Sequence, residues 1–390
     1  MCETYPGQIP LSLRLQWRKT CVFCVASVLG GFGLLRSLWQ AEYAWCWLVP
    51  ATFGLVYTLG LVRQHLPQNH RKQSALILPT LGAGTGVTIG RGVLISLLAG
   101  FVGLPWLRTS VGTPEGLRWM PGGLYLAAVC ADYLDGYLAR VTDHETRLGE
   151  ILDTKLDAFG VCVASLVAVG ASQLPWYYLV AGCAYYLLQA AIWIRKRTGK
   201  PVHDIAPWAG ARLLAGFQMG LIAVALLPVF GPPVTTIAAI IGMIPFLAGF
   251  GKDWLVVCGR FPTEHPWQRS VHMVLTRLLP PVVRLLLGGA GLSVLWRTPS
   301  SQQFVWSGLI VVAVVMLLGG IIGRLAAFGL SLTTAWGIME HRLYLDLFAL
   351  FAGSLILMLS GTGAFSLWQP EDRVLFRRAG ERPAGGGATA

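Results

Sequence analysis

Charged residues are scarce in this chain, at 12% of 390 positions, against roughly 25% in a soluble domain. That deficit argues against a water-soluble globular fold. Acid is the rarer sign, with 18 Asp and Glu against 30 Lys and Arg, for a net charge of +12. Cysteine and histidine are also few, at eight and seven. Cys21 and Cys24 form a C-x-x-C, but Val22 and Phe23 separate them at the start of an apolar run. A metal or redox motif normally has a polar turn and a second ligand pair. The thiols therefore read as small buried apolar groups. No A-x-A-like site follows the first apolar run, so a cleavable signal is not expected. Internal repeats strong enough to suggest an inverted-repeat transporter are missing as well.

Long apolar runs are abundant: hydrophobic residues make up 55% of the chain and the mean hydropathy is +0.61. A bilayer core of about 30 Å takes about 20 apolar residues per helix, and runs of that kind recur. Two, near 20–38 and 43–62, predict an N-terminal hairpin (1–74). Six follow near 81–104, 119–140, 150–172, 175–194, 207–230 and 233–250. After a loop with Pro262, Pro266 and Arg269 come four more, near 271–296, 304–323, 325–338 and 343–362, the third short enough to be re-entrant. The expectation is an all-α polytopic membrane protein of about 10–12 spans. Its basic, then Gly/Ala-rich tail (369–390) is expected to be cytoplasmic and disordered.

Basic residues collect in alternate connections, with Arg108 and Arg118 the main exceptions: Arg14, Arg18 and Lys19; Arg63, Arg71 and Lys72; Arg195, Lys196, Arg197 and Lys200; Lys252, Arg260 and Arg269; and the tail from Arg373. This positive-inside pattern places both termini in the cytoplasm. It makes anionic headgroups, not nucleic acid, the partner of the net positive charge.

Against that background the stretch 131–159, ADYLDGYLARVTDHETRLGEILDTKLDAF, stands out. A carboxylate at the centre of a membrane helix costs about 2.5–3.5 kcal/mol on insertion scales. Asp132 and Asp135 are three apart at the end of one run, and Asp153 and Asp157 four apart at the start of the next. Each pair shares a helical face. A short link through Gly149 folds the two helices antiparallel, so the faces can meet. Four converging carboxylates repel unless a cation lies between them. Oxygen-only ligands suit Mg²⁺ or Mn²⁺, and two such ions can clamp a diphosphate. Without accompanying His or Cys ligands, apart from His144 in the loop, zinc is disfavoured. Gly136 and Ala139 continue the first face with almost no side chain, which admits a ligand or a partner helix. Arg140 can pair with a phosphate oxygen or with one of the acids.

The run Asp132-x-x-Asp135-Gly136-x-x-Ala139-Arg140, eight residues, Gly149-x-x-x-Asp153-x-x-x-Asp157 resembles the complete signature of the CDP-alcohol phosphotransferase family. The resemblance covers about 75–255 and implies a six-helix membrane core (taken as 75–260), with the helices of 261–368 added to it. It implies transfer of a phosphoalcohol group from a CDP-linked donor, CDP-diacylglycerol by family precedent, to a hydroxyl acceptor with release of CMP. It further implies Asp132, Asp135 and Asp153 as principal ligands of two Mg²⁺ or Mn²⁺ ions, and Asp157 as second-ion ligand or general base. Gly136 and Ala139 would make room for the nucleotide, and a homodimer is the family default. The stretch Thr85-Gly86-Val87-Thr88-Ile89-Gly90-Arg91 resembles the family's first-helix P-N-x-x-T-x-x-R pattern, keeping the Thr and Arg but with Thr85 where Asn is usual. Thr88 and Arg91 become nucleotide-site candidates on that basis. Residues 211–218 resemble the fifth helix of phosphatidylglycerophosphate synthases, with Arg212 in place of Lys.

Other residues have competing readings. Arg91 and Arg212 also suit interfacial snorkelling. Lys155 is a charge partner of the aspartates or a substrate contact, and His203 with Asp204 is a candidate for the acceptor site. Arg277 and Arg284, seven apart on one face, fit lipid phosphates or an ion pair with Asp346. The residues after Asp153 and Asp157 match neither the serine-transferring nor the glycerophosphate-transferring pattern, so the acceptor stays open and CDP-choline or CDP-ethanolamine donors remain alternatives. A prenyltransferase would need its two acidic motifs far apart in sequence. A carboxylate-lined cation transporter is the rival from a different class.

Overall fold

The computed structural model describes residues 9–71, 76–104, 114–205, 209–261, 273–297, 304–340 and 345–368. The loop of Pro262, Pro266 and Arg269 and the tail from residue 369 lie outside them. Among the described residues the protein is all-helical, with isolated bridges but no strand. The α-helices are α1 (Leu11–Leu38), α2 (Ala41–His65), α3 (Ala83–Ala99), α4 (Glu115–Val141), α5 (Arg147–Gly170), α6 (Leu179–Gly182), α7 (Ala184–Arg197), α8 (Ala209–Leu226), α9 (Val234–Val257), α10 (Leu279–Arg297), α11 (Phe304–Gly319), α12 (Gly323–Met339) and α13 (Leu345–Ser360).

Among the described residues, four segments can cross a membrane by length and composition: Leu11–Leu38, Ala41–Gln68, Val234–Val257 and Thr276–Arg297. A fifth is the pair Trp176–Gly182 and Ala184–Arg197, bent by 58°. The larger number of spans expected from the apolar runs also takes in four shorter apolar helices and the aspartate helices α4 and α5, whose charges lower their hydropathy. The run 325–338 is one continuous helix, α12.

The chain divides into two compact units. Among the described residues the first is the chain to Cys183 with Ile222–Pro228, and the second is Ala184–Leu221 with the chain from Val229. In the first unit α3 is the hub, packing on α1, α2, α4 and α5. Small residues make this possible. A Cβ on Gly54 of α2 would come 3.0 Å from Ser96 Cα, and one on Gly92 would meet the Thr58 side chain. The Thr58 hydroxyl in turn lies 3.4 Å from the Gly92 carbonyl.

The second unit buries Val283 and Leu287 of α10, Ile310 and Leu317 of α11, Leu330 of α12 and Leu350 of α13 in one apolar core. Arg284 is 5% exposed there. Its guanidinium donates to the carbonyls of Leu318, Thr362 (3.2 Å) and Ala364 (3.2 Å), so it serves the C-terminal ends of α11 and α13. Helix C-termini carry unpaired carbonyls and partial negative charge, which a buried cation satisfies. The ion pair with Asp346 considered for Arg284 is not formed: Asp346 pairs with Arg297 at 3.6 Å.

Candidate metal centre

The two aspartate pairs meet because the α4–α5 connection is short and well capped. Asp143 adopts a left-handed conformation (φ 51°) just past α4. The His144 N–H then bonds back to the Ala139 carbonyl (2.9 Å) and the Asp143 N–H to that of Arg140 (3.3 Å). That is the Schellman pattern, with Asp where Gly is commoner. Three residues on, the Thr146 hydroxyl caps α5 by accepting from the Gly149 N–H at 3.1 Å. A second segment braces the turn. Arg71 pairs with Asp143 (3.2 Å) and bridges to Thr146, and the Arg147 N–H donates to the His70 carbonyl (3.0 Å). The buried Asn69 holds that segment by donating to the Leu78 and Thr80 carbonyls.

Carboxylate oxygens of Asp132, Asp135 and Asp153 lie within 4.8 Å of one another. The side chain reaching into them is Arg91 of α3, 2% exposed. Its Nη1 contacts Asp132 and lies 3.6 Å from Asp135, while its Nη2 lies 2.9 Å from Asp153 and 3.2 Å from Asp157. One guanidinium thus touches all four acids of the motif. Thr88, one turn earlier on α3, has its hydroxyl 2.8 Å from Asp135 Oδ2 and 3.0 Å from the Gly84 carbonyl. Its single proton can serve only one of them. Exposure is graded, from 7% for the Asp135 side chain to 49% for Asp153. The centre therefore has a closed wall on the α3–α4 side and an open side at Asp153.

A single positive charge cannot neutralise four carboxylates, and burial strengthens their repulsion. Asp157 Oδ1 and Arg91 Nε are buried and make no hydrogen bond among the described residues. The donor set is all oxygen, as a hard divalent cation requires. These residues fit such an ion.

A Cβ on Gly136 would stand 3.1 Å from Arg140 Nη1, so this glycine lies beneath the Arg140 side chain. Ala139 faces Gly84 of α3, where an added Cβ would lie 3.0 Å from the Ala139 Cβ and 2.7 Å from the Asp135 carbonyl. Gly149 lies beside Thr85, 3.6 Å from its hydroxyl to an added Cβ. Lys155 Nζ meets His65 Nε2 of α2 at 2.9 Å, so its contact is with the N-terminal hairpin and not with an aspartate. Arg212 is exposed on α8 and His203 packs against Gly259; both belong to the second unit. Gly84, His65 and the Asn69–Arg71 brace were missed from sequence. For Gly84 a signal existed in the small-residue run Gly82-Ala83-Gly84-Thr85, whereas nothing in the sequence marks the other two.

Residues 85–249 match the family model described as CDP-alcohol phosphatidyltransferase. The match opens at Thr85 and contains Thr88, Arg91 and all four aspartates; α1, α2 and the helices after α9 fall outside it. Neither the curated proteins nor the solved structures compared with the chain gave a match. Residues 85–249, with the aspartate centre inside them, thus belong to the CDP-alcohol phosphatidyltransferase family, whose members are CDP-alcohol phosphotransferases that transfer substituted phosphate groups.

Proposed function

We propose that the protein transfers a phosphatidyl group from CDP-diacylglycerol to a small hydroxyl acceptor and releases CMP. The observation that carries this reading is the convergence of Asp132, Asp135, Asp153 and Asp157 on Arg91 within the family domain. Asp132, Asp135 and Asp153 would hold Mg²⁺ or Mn²⁺, with Asp157 available to a second ion. When bound, such ions neutralise the diphosphate and the departing CMP.

The rest of the chemistry falls to the chain's own side chains. The acceptor hydroxyl oxygen forms a bond to the phosphorus that carries the lipid, and the bond from that phosphorus to the bridging oxygen breaks. CMP leaves with the bridging oxygen and its electron pair. Asp157 takes the hydroxyl proton, a role typically worth 10²–10⁴-fold in rate. Thr88 fixes the orientation of Asp135, and Arg91 keeps the four carboxylates together. The small Gly136 and Ala139 let the Arg140 side chain and α3 lie close on α4 beside the aspartates, and Arg140 is the side chain we assign to a phosphate oxygen of the nucleotide. Lys155 is the acceptor-side candidate that shares a unit with the aspartates. The positive-inside charge distribution supports a site facing the cytoplasm, and family precedent supports a homodimer.

The test is CMP release by the purified protein with CDP-diacylglycerol and Mn²⁺ or Mg²⁺. Glycerol 3-phosphate, inositol, inositol phosphate and serine are supplied in turn. Release with one acceptor and none without it identifies reaction and substrate together. Absence of release with every acceptor, from protein that binds the metal, overturns the choice of donor or acceptor.

A further inference from the structure

Helix α1 lies outside the family-matched residues, yet one stripe of it faces α3. Gln16, Lys19, Thr20, Phe23 and Cys24 recur at three- and four-residue steps on one helical face. They line a cleft of about 320 Å³ whose opposite wall is α3. That volume falls within the range of small-ligand sites, about 300–1,000 Å³.

Polarity changes along the cleft as it does along a lipid. Gln16, Lys19 and Thr20 form a polar end, and one turn further the wall becomes Phe23 and Cys24. Across from them Gly86 and Gly90 present no side chain, and nothing lies within 4 Å of where a Cβ would stand. At the polar end Gln16 Oε1 accepts the Leu81 N–H at 2.9 Å, which leaves the Gln16 amide hydrogens to donate. Lys19 is exposed and has no acidic partner among the described residues. At roughly 100° per residue, Gly86, Gly90 and Val93 lie on the side of α3 opposite Thr88 and Arg91. The cleft therefore turns away from the aspartates, where the reacting donor must lie.

We propose that this cleft holds one anionic phospholipid of the bilayer, its phosphate on Lys19 and the Gln16 amide and an acyl chain over Gly86 and Gly90. The charge of Lys19 sets the headgroup preference, and the glycines set the space for the chain. Such a lipid joins the N-terminal hairpin to the hub helix of the catalytic domain without taking part in transfer.

Native mass spectrometry of the full chain in mild detergent, titrated with phosphatidylglycerol or phosphatidylcholine, tests this. The wild type is expected to retain one phosphatidylglycerol per chain, preferred by about fivefold, the equivalent of about 1 kcal/mol for one lysine at an anionic headgroup. Lys19→Gln, at an exposed position, should lose the preference, and Gly90→Leu should lose the bound lipid. Equal retention of both lipids by the wild type overturns the proposal, as does undiminished phosphatidylglycerol binding by Lys19→Gln. One-for-one displacement of phosphatidylglycerol by CDP-diacylglycerol also overturns it, because the cleft would then be a donor site. Each outcome is read without any transfer activity, so the proposal stands or falls apart from the catalytic reading.

Discussion

Asp135 is the most enclosed of the four acids, and Thr88 reaches it from α3 at 2.8 Å. A hydrogen bond to a charged group contributes roughly 1.5–3 kcal/mol, so Thr88→Val should lower the transfer rate about ten- to a hundredfold with the helices intact. CMP release beside a circular dichroism spectrum checks this, and an unchanged rate would remove Thr88 from the site. Arg91 carries more. Removing one partner of a buried ion cluster costs about 3–5 kcal/mol because the charges left behind stay unpaired. Arg91→Gln should therefore melt at a clearly lower temperature in chelator, and Mn²⁺ should restore part of the loss by replacing the missing positive charge. A melting temperature in chelator equal to that of the wild type would show that the guanidinium does not hold the carboxylates together. The acids themselves were legible in the sequence, since steps of three and four on adjacent apolar runs fix a shared face. Which cation reaches them was not legible, because the contacts of Arg91 span up to 66 positions and depend on how closely α3 can approach.

That approach belongs to the helices. Gly84 lets α3 lie against the backbone of α4 at Asp135 and Ala139. A valine there would push the helices apart and draw Arg91 and Thr88 away from the aspartates. Gly84→Val should weaken Mn²⁺ binding at least tenfold, the equivalent of about 1.4 kcal/mol. Gly123→Ala on α4, with nothing within 4 Å, should leave Mn²⁺ binding unchanged. Calorimetric titration distinguishes them, and equal affinities would mean that α3–α4 packing does not set the site. The N-cap of α5 is a second such feature: Thr146→Ala should destabilise the fold by about 1 kcal/mol, read as a lower melting temperature. Helices α4 and α5 could be foreseen from their apolar runs and the residues between them. The break at Cys183 could not, since 175–194 reads as one apolar run with no proline or glycine pair at the bend. The fate of Arg284 was hidden for another reason: its partners are backbone carbonyls at helix ends 34 and 78 residues away, and backbone groups leave no mark in a side-chain pattern.

Across the whole molecule, charge has been sorted by purpose. Basic residues in alternate connections fit orientation in the bilayer, a buried arginine serves carbonyl ends in the second unit, and the acids concentrate where α3, α4 and α5 meet. The family match covers the aspartate helices and stops within α9, with α1, α2 and the helices after α9 outside it. The proposed function requires the acids to act as a metal-dependent transfer centre. The most direct measurement is CMP release from CDP-diacylglycerol as Mn²⁺ is titrated, in the wild type and in an Asp132→Asn/Asp153→Asn variant of matched helical content. Release that rises with Mn²⁺ in the wild type and disappears in the variant is the predicted result. Release that persists in the variant, or that ignores the metal, would contradict the account.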